Sequence, residues 1–161
     1  MSDSSHTAPT APPLPMRIPL AALIPGLLGL IPFWGLALSA HLSTGLDPLL
    51  ALMALIMYGA IILSFVGALW WGMAIHAAPT APRAAMFVWS VVPALIGWVA
   101  IMTTPAIGLR MLMAGLALQW VLDGLLMRYV PNLIPGWVFR LRTMLTFGAI
   151  SALAFVWWQL L

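Results

Sequence analysis

The sequence predicts an all-α, polytopic integral membrane protein, a helical bundle of five transmembrane helices with a cytoplasmic N-terminus. Three observations carry that reading. Of the 161 residues 64% are hydrophobic and 6% charged, whereas a soluble domain carries about 25% charged residues. So few polar side chains cannot cover a water-facing surface. Five apolar runs are each long enough to cross about 30 Å of hydrocarbon as a helix. The arginines, finally, fall almost entirely at one set of helix ends.

Residues 1–17, MSDSSHTAPTAPPLPMR, hold Pro9, Pro12, Pro13 and Pro15 among Ser, Thr and Ala, with no apolar periodicity. That composition predicts a disordered tail. The five-span domain then covers 18–161, with spans at about 18–40, 49–75, 84–103, 105–126 and 140–160. A cleaved signal peptide ending near Ala37-Leu38-Ser39 competes for the first run, but a signal h-region is only about 7–15 residues long. A retained helix is the better reading.

Punctuation between the spans is specific. Asp47 followed by Pro48 reads as an N-cap with Pro at the first helical position. Ala78-Pro79-Thr80-Ala81-Pro82 separates the second and third spans, and Thr103-Thr104-Pro105 makes a tight hairpin between the third and fourth. The longest connection, Arg128 to Trp137, is expected to lie along the membrane interface. Arg17, Arg83, Arg128, Arg140 and Arg142 share one side in a five-span topology, with only Arg110 toward the other. The positive-inside bias therefore places the N-terminus in the cytoplasm, or in the matrix for a mitochondrial protein. Trp70, Trp71, Trp137, Trp157 and Trp158 fall near span ends and read as interfacial anchors.

Several activities are excluded by inventory. With no cysteine there is no disulfide, thiolate nucleophile or Cys-ligated metal. Scattered arginines do not make the clustered basic face that nucleic acid needs. His41 and His76 fall at opposite ends of the bundle, too far apart for a haem pair. No Ser/His/Asp set, glycine-rich phosphate loop or paired carboxylate occurs. We therefore expect no catalytic residues, no metal, no cofactor and no enzyme.

Three features remain as candidates. Ala60, Ser64, Ala68 and Gly72 recur every four residues along the second span, with Gly59 and Gly67 alongside. Small residues at this spacing let helices approach closely in lipid. Packing within the bundle is the commoner use, and a homo-oligomer or partner-protein face the alternative. In the fourth span Gln119 and Asp123 share a face. A carboxylate within a span usually points into the bundle, here toward Arg83, Arg128, Arg140 or Arg142 as structural partner, or else as a proton or ligand site. Pro25, Pro32 and Pro93 each remove a backbone donor and free the carbonyl four residues earlier. Together with Asp123, Gln119, Ser64 and Tyr58, the Pro93 kink makes one candidate ligand or proton site.

Tyr58-Gly59-Ala60-Ile61-Ile62-Leu63-Ser64-Phe65-Val66-Gly67 followed by Trp71-Gly72 resembles the central signature of the domain-of-unknown-function 3429 family of bacterial and mitochondrial membrane proteins. Trp89-Ser90-Val91-Val92-Pro93 with Trp98, Gly115-Leu116-Ala117-Leu118-Gln119 with Asp123, and Trp137 with Arg140-Leu141-Arg142 fit in the same order. The resemblance spans about residues 17–155. It implies a five-helix membrane protein and no activity. Trp70 stands where that pattern often has a polar or basic residue, so no charge is carried to this site.

Two functions follow as expectations. The first is a non-enzymatic inner-membrane accessory, assembly or helix-interaction protein, partnered by the bilayer and by another membrane protein or a second copy. The second is a small transporter or hydrophobic-ligand binder using Asp123 and Gln119, with Ser64 and Tyr58. A bacterial inner membrane is the expected site, with the mitochondrial inner membrane as alternative. The chain lacks cysteine, so topology is directly testable with single introduced thiols. Thr44→Cys should react with an impermeant maleimide from outside intact cells, and Thr80→Cys only after the membrane is opened; the reverse pattern inverts the topology.

Overall fold

In the computed structural model the described residues are 17–42, 46–77, 82–130 and 133–159. The expected tail, with Asp3 and His6, lies outside them except for Arg17, as do 78–81 and 131–132 within the connections. Every described element is a helix: α1 (Leu20–Leu28), α2 (Leu30–Leu42), α3 (Pro48–His76), α4 (Arg83–Met102), α5 (Pro105–Tyr129) and α6 (Gly136–Gln159). Together α1 and α2 make one span, and with the other four helices they give five long and apolar enough to cross a membrane.

The first span is split because of its prolines. Pro32 has no N–H for the Leu28 carbonyl, and its ring crowds that oxygen. The helix resets at Gly29, whose own N–H bonds the Pro25 and Gly26 carbonyls at 3.0 and 3.1 Å. Pro32 then sits in the first turn of α2, where a missing donor costs little. The Tyr58 hydroxyl donates to the Gly29 carbonyl at 2.8 Å. Tyr58 therefore ties α3 to the break through the Gly29 carbonyl, a polar partner that lipid does not offer.

α3 starts as its sequence indicates: Asp47 Oδ1 accepts from the N–H groups of Leu49 and Leu50 at 2.9 and 3.2 Å, with Pro48 in the first helical position. At 29 residues it is about 43 Å long, and it is the hub, packing against α2, α4, α5 and, over a short stretch, α6. The hairpin after α4 is as tight as expected, α5 beginning at Pro105. The Arg128–Trp137 connection is shorter than expected, because α5 runs on to Tyr129 and α6 starts at Gly136. This segment sends Ile134 into the cluster of Trp70, Ala74, Met86 and Leu126.

Small residues set the helix approaches. A Cβ on Gly67 would lie 2.6 Å from the Pro93 ring, one on Gly97 3.0 Å from the Ala60 carbonyl oxygen, and one on Gly108 2.6 Å from the Ala100 carbonyl oxygen. Pro93 is thus a packing surface for Gly67 inside an α4 that runs unbroken from Arg83 to Met102. The four-residue ladder of α3, however, only begins in this interface. Each step of four advances about 40° around a helix of 3.6 residues per turn. Ala60 is buried, Ser64 half-buried and bonded to the Ala60 carbonyl at 2.8 Å, and Ala68 and Gly72 are exposed.

Glycine substitutions test this packing. Gly108→Ala must displace backbone and should lower stability in detergent by about 1–3 kcal/mol. Gly35→Ala, with nothing within 4 Å of the new Cβ, should leave thermal unfolding unchanged or slightly improved.

Candidate functional site

The inward face of α5 is built from Leu112, Gly115, Leu116, Gln119, Asp123 and Leu126, spaced by three and four and all buried. Leu112, Leu116 and Leu126 fill space, whereas Gln119 and Asp123 bring an amide and a carboxylate to positions 1% exposed. Asp123 Oδ1 accepts from the Trp70 indole N–H at 2.7 Å and from the Gln119 amide at 3.0 Å. The Gln119 carbonyl oxygen in turn accepts from the Trp89 indole at 2.9 Å. Arg142 Nη2 lies 2.9 Å from Asp123 Oδ2. No N–H is aligned on that oxygen as a hydrogen bond, so the contact is coulombic in character. The same Nη2 approaches the Val66 carbonyl at 3.4 Å.

One connected set of polar groups therefore joins α3 (Val66, Trp70), α4 (Trp89), α5 (Gln119, Asp123) and α6 (Arg142). Of the four arginines the sequence offers as partners, the structure brings Arg142 to Asp123. Arg142 lies six residues into α6, about 9 Å from its start, and its side chain is only 10% exposed. Arg83 instead donates to the Ala74 and Ile75 carbonyls at the end of α3, both at 3.1 Å.

Asp123 and Gln119 are together, as their spacing indicates. Tyr58 and Ser64 are not part of their network: Tyr58 serves the Gly29 break and Ser64 bonds one turn back in its own helix. Pro93 belongs to the α3–α4 contact. Trp70 requires a correction. Read as an interfacial anchor, it is 7% exposed and hydrogen-bonded to the buried carboxylate. A signal was present: Trp70 falls in phase with Leu63, Gly67 and Ala74, the inward face of α3, whereas its neighbour Trp71 is exposed and packs on Phe87. His41 and His76 do stand at opposite ends, His41 with Gln159 at 2.9 Å and His76 with the Gly72 carbonyl at 2.9 Å.

As chemistry, this arrangement holds the four helices in register rather than presenting a reactive group. The indoles, the Gln119 amide and Asp123 Oδ1 are spent on one another, whereas Asp123 Oδ2 has no aligned donor and Arg142 contacts the set through Nη2 alone.

The family model described as Protein of unknown function (DUF3429) matches residues 18–158. Transmembrane protein 69 of Xenopus tropicalis is 38% identical over 140 residues, covering 84% of this chain and 53% of that protein. The chain thus spans about half the length of the curated relative it matches. No solved structure matches.

Removing one partner leaves the other buried and uncompensated, a loss of about 3–5 kcal/mol in comparable pairs. Asp123→Asn should destabilise the detergent-solubilised protein on that scale. Asp123→Asn with Arg142→Gln should recover much of it, since no orphan charge remains. If the double variant is no more stable than the single one, the pairing is not what the fold depends on.

Proposed function

The chain belongs to the family described as Protein of unknown function (DUF3429), a multi-pass membrane family that brings no activity with it, and from that premise we propose a non-enzymatic accessory or assembly role exercised through helix–helix contacts. One observation carries the proposal. Ala68 and Gly72 are small where the fold itself does not need them to be: both are exposed, and a Cβ on Gly72 would meet nothing within 4 Å. In lipid, where apolar side chains gain nothing by leaving the solvent, small residues allow a second helix to pack closely. Bulky, exposed Ile61, Phe65 and Leu69 flank them, so the small pair forms a notch between larger side chains. The partner is another membrane protein or a second copy of this chain. We place the protein in a bacterial inner membrane, or the mitochondrial inner membrane, with the N-terminus on the cytoplasmic or matrix side.

A second reading, transport or ligand binding at Asp123 and Gln119, is supported by Asp123 Oδ2, which lacks an aligned donor. The 1% exposure of both residues weighs against it, because a ligand would have to open the bundle to reach them.

Purification of the tagged chain from native membranes tests the first reading. Ala68→Leu and Gly72→Leu should leave thermal unfolding intact while releasing the co-purifying partner or shifting the oligomer to monomer. Unchanged complexes in both variants sink it.

A further inference from the structure

A seam runs between α3 and α6 on the side where α1 stands. These helices touch only over a short stretch, and α1 leans on α2 and α6 without packing against α3. Two cavities follow one another along the seam. The deeper one, of about 150 Å³, is almost wholly apolar and is lined by Gly26, Gly29, Phe65, Val66, Leu145 and Ala149 among others. The outer one, of about 460 Å³, opens near the end of α3 and is lined by Leu69, Gly72, Met73, His76, Val138 and Arg142 among others. Arg142 stands between them, since it lines the outer groove while its Nη2 approaches the carbonyl of Val66 in the deeper wall.

We propose that this seam binds an anionic phospholipid, its phosphate at Arg142 and His76 and one acyl chain running inward along Leu69 and Val66. Charge complementarity selects the occupant. Arg142 makes its two protein contacts through Nη2; Nε and Nη1 have no protein partner among the described residues. The His76 ring lines the same groove and donates from Nδ1 to the Gly72 carbonyl; as imidazolium it keeps a second N–H, at Nε2, for a phosphate oxygen. The C-terminal end of α3 would ordinarily repel an anion through its exposed carbonyls. Two of these, on Ala74 and Ile75, are covered by the Arg83 guanidinium. Arg17, Arg128 and Arg140 lie toward the same end of the bundle, with Asp123 as the one described acidic residue there. Basic pockets between transmembrane helices are a recurring way of holding acidic head groups. Shape agrees: the deeper cavity is far too narrow for a helix about 10 Å across but open to a flexible hydrocarbon chain.

This ligand goes beyond the helix-contact role: Gly72 and Leu69 border both surfaces, whereas Ala68 lines the notch alone, so Ala68→Leu tests the helix contact without touching the groove. Native mass spectrometry of the purified full chain, equilibrated with equimolar phosphatidylglycerol and phosphatidylcholine of identical acyl chains, tests it. The unmodified protein should retain phosphatidylglycerol preferentially, by about fivefold per cationic contact. His76→Ala should reduce the preference, and Asp123→Asn with Arg142→Gln, which removes the cation without orphaning its partner, should bring it close to parity. Leu69→Trp fills the groove without changing charge and should lower retention of both lipids. Should the double variant fail to fold, His76→Ala and Leu69→Trp decide the matter. Equal retention of the two lipids by the unmodified protein overturns the proposal, as does a preference untouched by His76→Ala or a total retention untouched by Leu69→Trp.

Discussion

Placing a carboxylate in the interior of a hydrocarbon-embedded bundle is costly, and the rest of this structure is arranged around that cost. Asp123 is compensated by three different helices: an indole from α3, a guanidinium from α6, and, through Gln119 of its own helix, an indole from α4. Lipid offers no substitute for any of these partners. Sliding one helix by a turn would remove a donor from the carboxylate or strand a guanidinium in an apolar groove. The glycine and alanine contacts supply close packing, but smooth small-residue surfaces tolerate displacement. The Asp123 network supplies the register that packing alone leaves loose, the best-attested use of a buried polar group.

Elsewhere the bundle is held less firmly. The first span is broken at Gly29 and steadied there by one hydroxyl from Tyr58. Its N-terminal half, α1, has no buried residue of its own. At the opposite end His41 and Gln159 tie α2 to α6. The molecule thus combines an interior node, an open seam beside α1 with the node's Arg142 on its wall, and the Ala68–Gly72 notch at the edge of that seam. Only the last two are reachable without opening the fold, which is why the functional readings rest on them rather than on the carboxylate.

Much of this was legible in the sequence, for identifiable reasons. Span number and approximate limits follow from apolar length, and the Asp47-Pro48 start follows from cap chemistry confined to adjacent residues. That Asp123 would face inward with Gln119 follows from helical phase. Which arginine would meet it did not, since the choice depends on how far α6 begins before Arg140. Nor was Trp70 recognised as a donor, because a tryptophan near a span end is read first as an anchor, and its phase with Leu63, Gly67 and Ala74 gains meaning only once α3 is known as the hub. The small-residue ladder was half legible: a spacing of four keeps neighbours adjacent but carries them around the helix, from the α4 interface at Ala60 to the exposed rim of the groove at Gly72. The break at Gly29 was signalled by Pro25 and Pro32, but its stabiliser, Tyr58, is 29 residues away.

The central claim is that Asp123 belongs to an enclosed structural network and not to an accessible binding or proton-transfer site. Hydrogen–deuterium exchange of the nine tryptophan indole N–H groups, resolved by 15N NMR of the detergent-solubilised protein, reads this most directly. Trp70 and Trp89, hydrogen-bonded inside the bundle, should exchange far more slowly than Trp158, 75% exposed near the end of α6. Exchange of Trp70 as rapid as that of Trp158 would mean that water reaches the carboxylate freely, and would contradict the claim.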